Sequence, residues 1–222
     1  MRLANLGWAA ACLLSASVWP AAVQASQQPR AAISSNGPAL LQDAGQLARW
    51  VIGSGDHQGL PFAIVDKRAA MILIYASDGR LAGTSAALLG QTLGDVSVAG
   101  VGERTQHQAL RLEDLTTPAG RFVSEPGLNN HREPIVWIDY DSALAIHRLR
   151  PGASRQQRAQ RLASGDPRSR RASAGCVVVP EAFYDTVVAP LLGRSRGLVY
   201  VMPESGVLPL HPLLALQTAK PR

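Results

Sequence analysis

The pattern of apolar and polar residues predicts a chain built mostly from short β-strands. Apolar runs rich in β-branched residues, each bounded by turn-forming residues, occur at positions 62–65, 71–75, 134–140, 142–147, 177–179 and 197–202. Runs of this length and composition are typical of strands. Only short turns separate the first two runs from each other and from residues 80–84, so these three segments predict an antiparallel meander.

Helical spacing is confined to a few segments. Apolar residues recur every three or four positions over residues 39–52, which predicts an amphipathic helix capped by Ser35 or Asn36 and ending near Gly53. Two shorter helices are predicted, from Ser154 to about residue 162 and after Pro180. Residues 94–102 are predicted as a loop and residues 114–122 as a tight turn. The expected fold is one mostly-β domain with a few helices.

Residues 1–25 predict a cleaved signal peptide. A basic start precedes an apolar segment, and the small-x-small pattern at residues 22–25 predicts cleavage before Ser26. A membrane anchor is the alternative, but the segment is short and is interrupted by two serines and a proline. Residues 26–37 are polar and predict a flexible leader, which leaves residues 38–222 as a single domain. We therefore expect export to the periplasm or cell envelope.

The chain contains two cysteines, Cys12 and Cys176. Cys12 lies in the predicted signal peptide and would leave with it. An odd cysteine in an exported protein is either an intermolecular link or a reactive thiol. Cys176 follows a glycine and precedes an apolar strand, and a thiol in apolar surroundings is also commonly an inert core residue. The composition alone leaves these alternatives open.

Positive charge is concentrated just before Cys176. The formal net charge is +6 at pH 7, and Asp166 is the only acidic residue among the eight arginines between His147 and Cys176. These arginines are Arg148, Arg150, Arg155, Arg158, Arg161, Arg168, Arg170 and Arg171. Such a run attracts polyanions. The predicted export argues against nucleic acid and favours anions of the cell envelope, and a solvated loop is the alternative.

A cysteine nucleophile needs a base, usually a histidine, to increase its thiolate fraction. His147 ends a predicted strand on the same face as Ala143 and Ala145, whereas the other histidines fall in loops or the tail. His131 could contribute only if its loop folds over the site. No metal site is predicted, because one cysteine and scattered histidines do not give closely spaced ligands.

An ordered set of motifs resembles one known family. Residues 117–122 read Thr-Pro-Ala-Gly-Arg-Phe, residues 138–140 read Ile-Asp-Tyr, and His147 is followed by Ser-Ala-Gly-Cys at residues 173–176. Together they resemble the L,D-transpeptidase (YkuD-like) catalytic domain, as a divergent branch in which Ala174 replaces the usual histidine. The resemblance extends over residues 62–202. It implies a YkuD-like β-sandwich or barrel that works in the cell envelope without a cofactor.

The resemblance also implies a site and a reaction. A thiolate at Cys176, with His147 as base, would attack a peptidoglycan stem peptide, and an amine or water would resolve the acyl-enzyme. The carbonyl of Arg148 would orient the imidazole. The N–H groups of Ala174, Gly175 and Cys176 would form an oxyanion hole. The residues expected to contact substrate are Ser173, Arg171 and Tyr140, and the arginines before Cys176 could meet substrate carboxylates.

The implied partners are peptidoglycan stem peptides and an envelope lipoprotein as a possible acceptor, with no nucleic acid. Two other classes of protein remain open. One is a murein peptide hydrolase or carboxypeptidase, which would shorten stems without accepting an amine. The other is a catalytically weak or inactive peptidoglycan-binding homologue that keeps the fold and its arginine patch.

Overall fold

The computed structural model describes residues 40–41, 43–205 and 208–209. All of these belong to one compact unit, Pro38–Arg222. The predicted signal peptide and leader, residues 1–37, lie outside the described residues. Within the described ranges, every helix is too short or too polar to cross a membrane.

The described secondary structure is mostly β. The strands are β1 (Leu40–Leu41), β2 (Phe62–Asp66), β3 (Met71–Tyr75), β4 (Leu81–Ala86), β5 (Leu89–Gly90), β6 (Gly120–Leu128), β7 (Pro134–Asp139), β8 (Leu144–Arg148), β9 (Arg171–Ser173), β10 (Val177–Val179), β11 (Gly197–Val201) and β12 (Leu208–Pro209). The α-helices are α1 (Ala44–Ser54), α2 (Val101–Gln106), α3 (Arg155–Ala163), α4 (Glu181–Phe183) and α5 (Ala189–Leu191). A π-helical turn, Tyr184–Val188, joins α4 to α5, and 3-10 turns occur at Leu112–Asp114 and Pro167–Arg170.

Eight strands form a mixed sheet in the order β10-β8-β7-β6-β11-β2-β3-β4. The β10–β8 and β11–β2 pairs are parallel and the other pairs are antiparallel. The two edges of the sheet approach each other, because Leu88, just beyond β4, exchanges two backbone hydrogen bonds with Val178 of β10 (2.8 and 2.9 Å). The sheet is therefore nearly closed.

Apolar side chains cover both faces of this sheet. One cluster contains Ile72, Ile146 and Val199, with Tyr184 and Val188 of the π-helical turn packed into it. The other packs Leu47 and Val51 of α1 against Phe62, Ile64 and Tyr200. A smaller third cluster joins Leu162 of α3 to Leu88, Leu149 and Val178, so that α3 docks beside the strand that follows Cys176. Burial of these side chains supplies the main driving force for folding.

Most of the predicted strands are confirmed. The meander appears as β2, β3 and β4, and the predicted pair over residues 134–147 appears as antiparallel β7 and β8. The first helix is displaced, since α1 begins at Ala44 rather than at residue 39. The Asp43 side chain accepts a hydrogen bond from Gln46 N (2.7 Å), and Gly55 in the left-handed conformation ends the helix. Residues 40–41 instead pair with residues 208–209.

Two elements were missed between residues 94 and 128. Helix α2 begins at Val101, inside the predicted loop, and β6 is a nine-residue strand whose sequence includes Pro126 and Gly127. The predicted turn at residues 114–122 is wrong. Ala119 N donates to Asp95 O (2.9 Å) and Thr117 O accepts from Lys67 Nζ (2.8 Å), so long-range contacts hold this segment and override its turn propensity.

Candidate active site

A cleft of about 490 Å³ opens beside β8 and β10. The small-residue face of β8, predicted from its alternation, lines this cleft with Ala145 and His147, and Ala143 just before the strand joins them. Cys176 lines the same cleft. The structure therefore brings the predicted base and the predicted nucleophile to one wall of one cavity.

The strand register explains this arrangement. In the parallel β8–β10 pair, Val178 lies opposite His147. Side chains two residues apart point to the same face of a strand. Cys176, two residues before Val178, therefore faces the cleft on the same side as Val178. The described hydrogen bonds include none between the sulfur and the imidazole.

The segment Ser173–Cys176, here called the cysteine loop, is held by hydrogen bonds at both ends. Ser173 Oγ donates to Cys176 O (2.6 Å) and accepts from Gly175 N (3.1 Å), which closes the loop on itself. Fully buried Thr117 donates from Oγ1 to Gly175 O (2.7 Å) and accepts from Gly90 N (2.9 Å). Thr117 therefore ties the cysteine loop to β5 and to the segment before β6.

Glycine is required at position 175. Its φ of 121° lies in a region that residues with side chains rarely adopt. A Cβ added there would also lie 2.8 Å from the carbonyl oxygen of Thr116, which is a backbone atom and cannot swing away. A glycine therefore precedes Cys176 because the backbone at position 175 packs closely against the backbone of Thr116.

Two of the three N–H groups expected to form an oxyanion hole are available. The N–H of Gly175 is occupied by Ser173 Oγ. In the described part of the chain, the N–H groups of Ala174 and Cys176 have no hydrogen-bond partner. Ala174 is exposed and lines the cleft. Both N–H groups therefore remain available as donors to a substrate carbonyl oxygen.

His147 is buried and its ring is oriented by the backbone. Its Nδ1 lies 2.8 Å from the carbonyl oxygen of Arg148, the contact that the family resemblance implies. A carbonyl oxygen only accepts hydrogen bonds, so Nδ1 carries the hydrogen and Nε2 keeps its lone pair. Burial lowers the pKa of His147 to about 4, the carbonyl of Arg148 opposes this shift, and the charges of Arg150 and Arg158 add to it.

The thiol of Cys176 is half-buried and lies 3.4 Å from the carbonyl oxygen of Ala143. Burial raises its pKa, while backbone hydrogen bonding at Ala145 and the charge of Arg150 partly offset the increase. At pH 7 the cleft therefore contains a neutral thiol and a neutral imidazole. This differs from the expectation of a thiolate stabilised by histidine, because burial disfavours both charged forms.

The structure places Arg171 and Tyr140 outside the cleft. Arg171 donates through both terminal nitrogens to Glu204 (2.9 and 2.7 Å) and also to Lys67 O (2.8 Å). Tyr140 is 70% exposed and packs its ring 4.3 Å from the ring of Trp137, which does line the cleft. Ser173 lines the cleft, but its hydroxyl is used inside the cysteine loop.

Several residues that the sequence analysis did not select as site residues also line the cleft. His131 and its neighbours Asn129 and Asn130 line it, so the loop between β6 and β7 does fold over the site. Arg150 and Arg158 line it as well. The dense arginine run contained this signal, but a run of charges does not reveal which members face a cavity. Within the described ranges, no group of three or more His, Cys, Asp or Glu side chains could hold a metal ion.

Comparison with protein-family models gave no match, and comparison with curated proteins gave none either. The fold and the site together define a broad class of protein. The described residues form a β-rich protein with a nearly closed eight-stranded sheet, and its cleft places an unpaired cysteine on the same wall as a buried, backbone-oriented histidine.

Proposed function

We propose that this protein is a cysteine-dependent L,D-transpeptidase of peptidoglycan, related to the YkuD-like family. The observation that carries the proposal is the shared cleft, in which Cys176 and His147 line one wall and the imidazole is held by the carbonyl of Arg148. The free N–H groups of Ala174 and Cys176 give the same wall a place for a developing oxyanion. An inert core cysteine would need none of these features.

The first half-reaction forms a thioester. Nε2 of His147 takes the proton of the Cys176 thiol as the sulfur attacks the carbonyl carbon that precedes the terminal D-residue of a stem tetrapeptide. The oxyanion faces the N–H groups of Ala174 and Cys176. The C–N bond to the terminal D-residue then breaks, and the proton held by His147 passes to its departing amine.

The second half-reaction releases the thioester. An amine of another stem, or of an envelope lipoprotein, attacks the thioester carbonyl and gives up a proton through His147 to the sulfur. An amide bond forms, the C–S bond breaks, and the thiol is restored. Water attacking in place of the amine would give a shortened stem. Both routes use side chains of this chain alone.

The low pKa of His147 fits a base that stays unprotonated across the neutral range, although it accepts a proton less readily than a solvated histidine. The raised pKa of Cys176 means that deprotonation accompanies attack rather than preceding it. We therefore expect slow reaction with simple alkylating reagents and faster reaction with a bound substrate.

The test is intact-protein mass spectrometry after incubation with a disaccharide tetrapeptide, combined with chromatography of the products. The proposal expects an acyl adduct on Cys176 and cross-linked dimers. Shortened stems alone would identify the carboxypeptidase alternative. An absence of both adduct and product would leave only the non-catalytic alternative.

Matched variants make the test specific. Cys176→Ala removes the nucleophile with little change in volume and should abolish adduct and product. Arg168→Ala alters an exposed arginine whose one ion pair within the described part of the chain is with nearby Asp166, and this variant should behave as the unaltered protein does. Full activity in Cys176→Ala would refute the assigned nucleophile.

A further inference from the structure

The arginines that precede Cys176 are mostly neutralised by acids from distant parts of the chain. Five of the eight form ion pairs with a carboxylate. The pairs are Arg148–Asp185, Arg150–Glu133, Arg155–Glu181, Arg168–Asp166 and Arg171–Glu204. Only Arg158, Arg161 and Arg170 have no carboxylate partner among the described residues.

Of these three arginines, only Arg158 lines the cleft. Arg161 donates to the carbonyl of Ser169 (3.3 Å). Arg170 donates to carbonyls of the β2–β3 turn, including that of Ala69 (3.3 Å). Of the eight arginines, Arg158 is therefore the one that lines the cleft of Cys176 without a carboxylate partner among the described residues.

The surroundings of Arg158 leave it ready to bind an anion. One terminal nitrogen donates to Arg150 O (3.1 Å), and its buried Nε has no hydrogen-bond partner in the described part of the chain. The guanidinium of Arg150, which also lines the cleft, pairs with Glu133 (3.1 Å), and Glu133 accepts a further hydrogen bond from Asn129 (2.6 Å). Two guanidinium groups thus line the cleft, and only that of Arg150 has a carboxylate partner among the described residues, so the cleft keeps an excess positive charge.

We propose that Arg158, with Arg150 beside it, binds a free carboxylate of the peptide substrate and makes the site selective for stem peptides that are not amidated there. A guanidinium pairs strongly with a carboxylate, often through two hydrogen bonds. A carboxamide at the same position offers one acceptor and no charge. This inference rests on the proposed function, since it assigns the peptide to the cleft that contains Cys176.

The test measures binding separately from catalysis. Calorimetry on the Cys176→Ala protein would compare a free stem tetrapeptide with peptides amidated at a single carboxylate, on the second residue, the third residue or the C-terminus. We expect one of the three amides to bind about tenfold more weakly than the free peptide, which a charge-assisted hydrogen bond accounts for. That amide identifies which carboxylate is bound.

A matched pair of variants assigns the preference to Arg158. In the Cys176→Ala background, Arg158→Gln should reduce the tenfold ratio to about one. Arg161→Gln removes the same charge from the same helix, one turn away and outside the cleft, and should keep the ratio. Equal binding of all four peptides, no measurable binding, or a ratio that survives Arg158→Gln would overturn the inference.

Failure of the inference can be told apart from failure of the proposed function. If the unaltered protein forms the Cys176 adduct equally well with free and amidated peptides, the inference fails and the function stands. If the Cys176→Ala protein shows the preference but no peptide acylates the unaltered protein, the function fails and the carboxylate site stands.

Discussion

Two basic clusters, one beside the Thr117 segment and one in the cleft, differ in how their charge is balanced. The paired cluster consists of Lys67 and Arg171 with Asp95 and Glu204. The cleft cluster consists of Arg150 and Arg158 with Glu133. The first has two cations and two carboxylates, and the second has two cations and one carboxylate.

The paired cluster is a closed network. The Lys67 ammonium donates to Gly94 O (2.6 Å), Asp95 Oδ1 (2.6 Å) and Thr117 O (2.8 Å), and its side chain is fully buried. Glu204 receives Arg171 and also lies 3.5 Å from Lys67. All three ammonium donors are thus used, and the network holds the Thr117 segment that anchors the cysteine loop.

The two clusters therefore have different roles, one in stability and one in binding. Buried charges with complete sets of partners position backbone, and removing one partner leaves the others uncompensated. A half-buried guanidinium without a carboxylate contributes little to folding but remains free to meet a ligand. Substitution should therefore affect stability in the paired cluster and recognition in the cleft cluster.

The largest effect is expected from Lys67→Met. This change keeps much of the side-chain volume but leaves Asp95, Glu204 and Thr117 O without their shared donor. We expect a loss of about 4 kcal/mol in the free energy of unfolding, a typical cost of breaking a buried pair. Urea denaturation followed by circular dichroism would measure it.

The control for this prediction is Arg68→Met, the adjacent exposed position, where the Arg68 side chain forms no ion pair with the described residues. A surface change of this kind should alter stability by about 0.5 kcal/mol or less. Similar losses in the two variants would mean that the buried network contributes no more than a surface charge.

The next effect concerns His147, which lies in the field of the cleft cluster. Its pKa is about 4 in the folded protein, against an ordinary value near 6.5. Between these pH values His147 is protonated in the unfolded chain but neutral in the folded protein. The free energy of unfolding therefore falls as the pH decreases from 6.5 to 4. The shift corresponds to about 3 kcal/mol.

Denaturation midpoints at pH 7 and pH 4.5 would measure this loss. His147→Asn serves as the comparison, because its side-chain amide can still donate to Arg148 O but does not titrate. The variant should lack most of the decrease between the two pH values. An equal decrease in both proteins would show that the imidazole is not buried in its neutral form.

Arg171→Gln and Arg158→Gln compare the two clusters directly. Arg171→Gln removes a two-point contact with Glu204 and a hydrogen bond to Lys67 O, and should cost about 2 kcal/mol. Arg158→Gln should change stability by about 0.5 kcal/mol or less. Equal costs, measured by the same denaturation, would contradict the assignment of a structural role to one cluster and a binding role to the other.

The sequence predicted the strands of the site better than it predicted how those strands pair. Alternation over residues 142–147 correctly placed Ala143, Ala145 and His147 together, because a two-residue period depends only on local backbone geometry. The parallel register that sets Val178 opposite His147 depends on the crossover through α3, and nothing local encodes it.

The sequence also did not show which arginines of the run are paired with acids and which face the cleft. The family resemblance implied that Arg171 contacts the substrate, yet Arg171 pairs with Glu204 from beyond β11. Asp166 is the only acid within the run, so the sequence suggested an unpaired patch. Four further acids that pair with the run come from residues 133, 181, 185 and 204. Only folding reveals that Arg158, Arg161 and Arg170 lack a carboxylate partner among the described residues.

The smallest expected effect is a change in the pKa of His147 itself. The charges of Arg150 and Arg158 both oppose protonation of the imidazole, after the larger effect of burial. Arg158→Gln should therefore raise the pKa of His147, which would still lie below its ordinary value. Arg171→Gln should leave the pKa unchanged, because the charge of Arg171 is balanced by Glu204.

An NMR titration of the imidazole in the three proteins would measure this shift. No change in Arg158→Gln would mean that the charge of Arg158 is screened from the site. A rise would give the variant a stronger base together with weaker binding of acidic peptides. A substrate carboxylate on Arg158 would act in the same direction as the substitution, since it offsets the same charge. The peptide that fits the cleft would thereby make His147 more able to take the proton of Cys176.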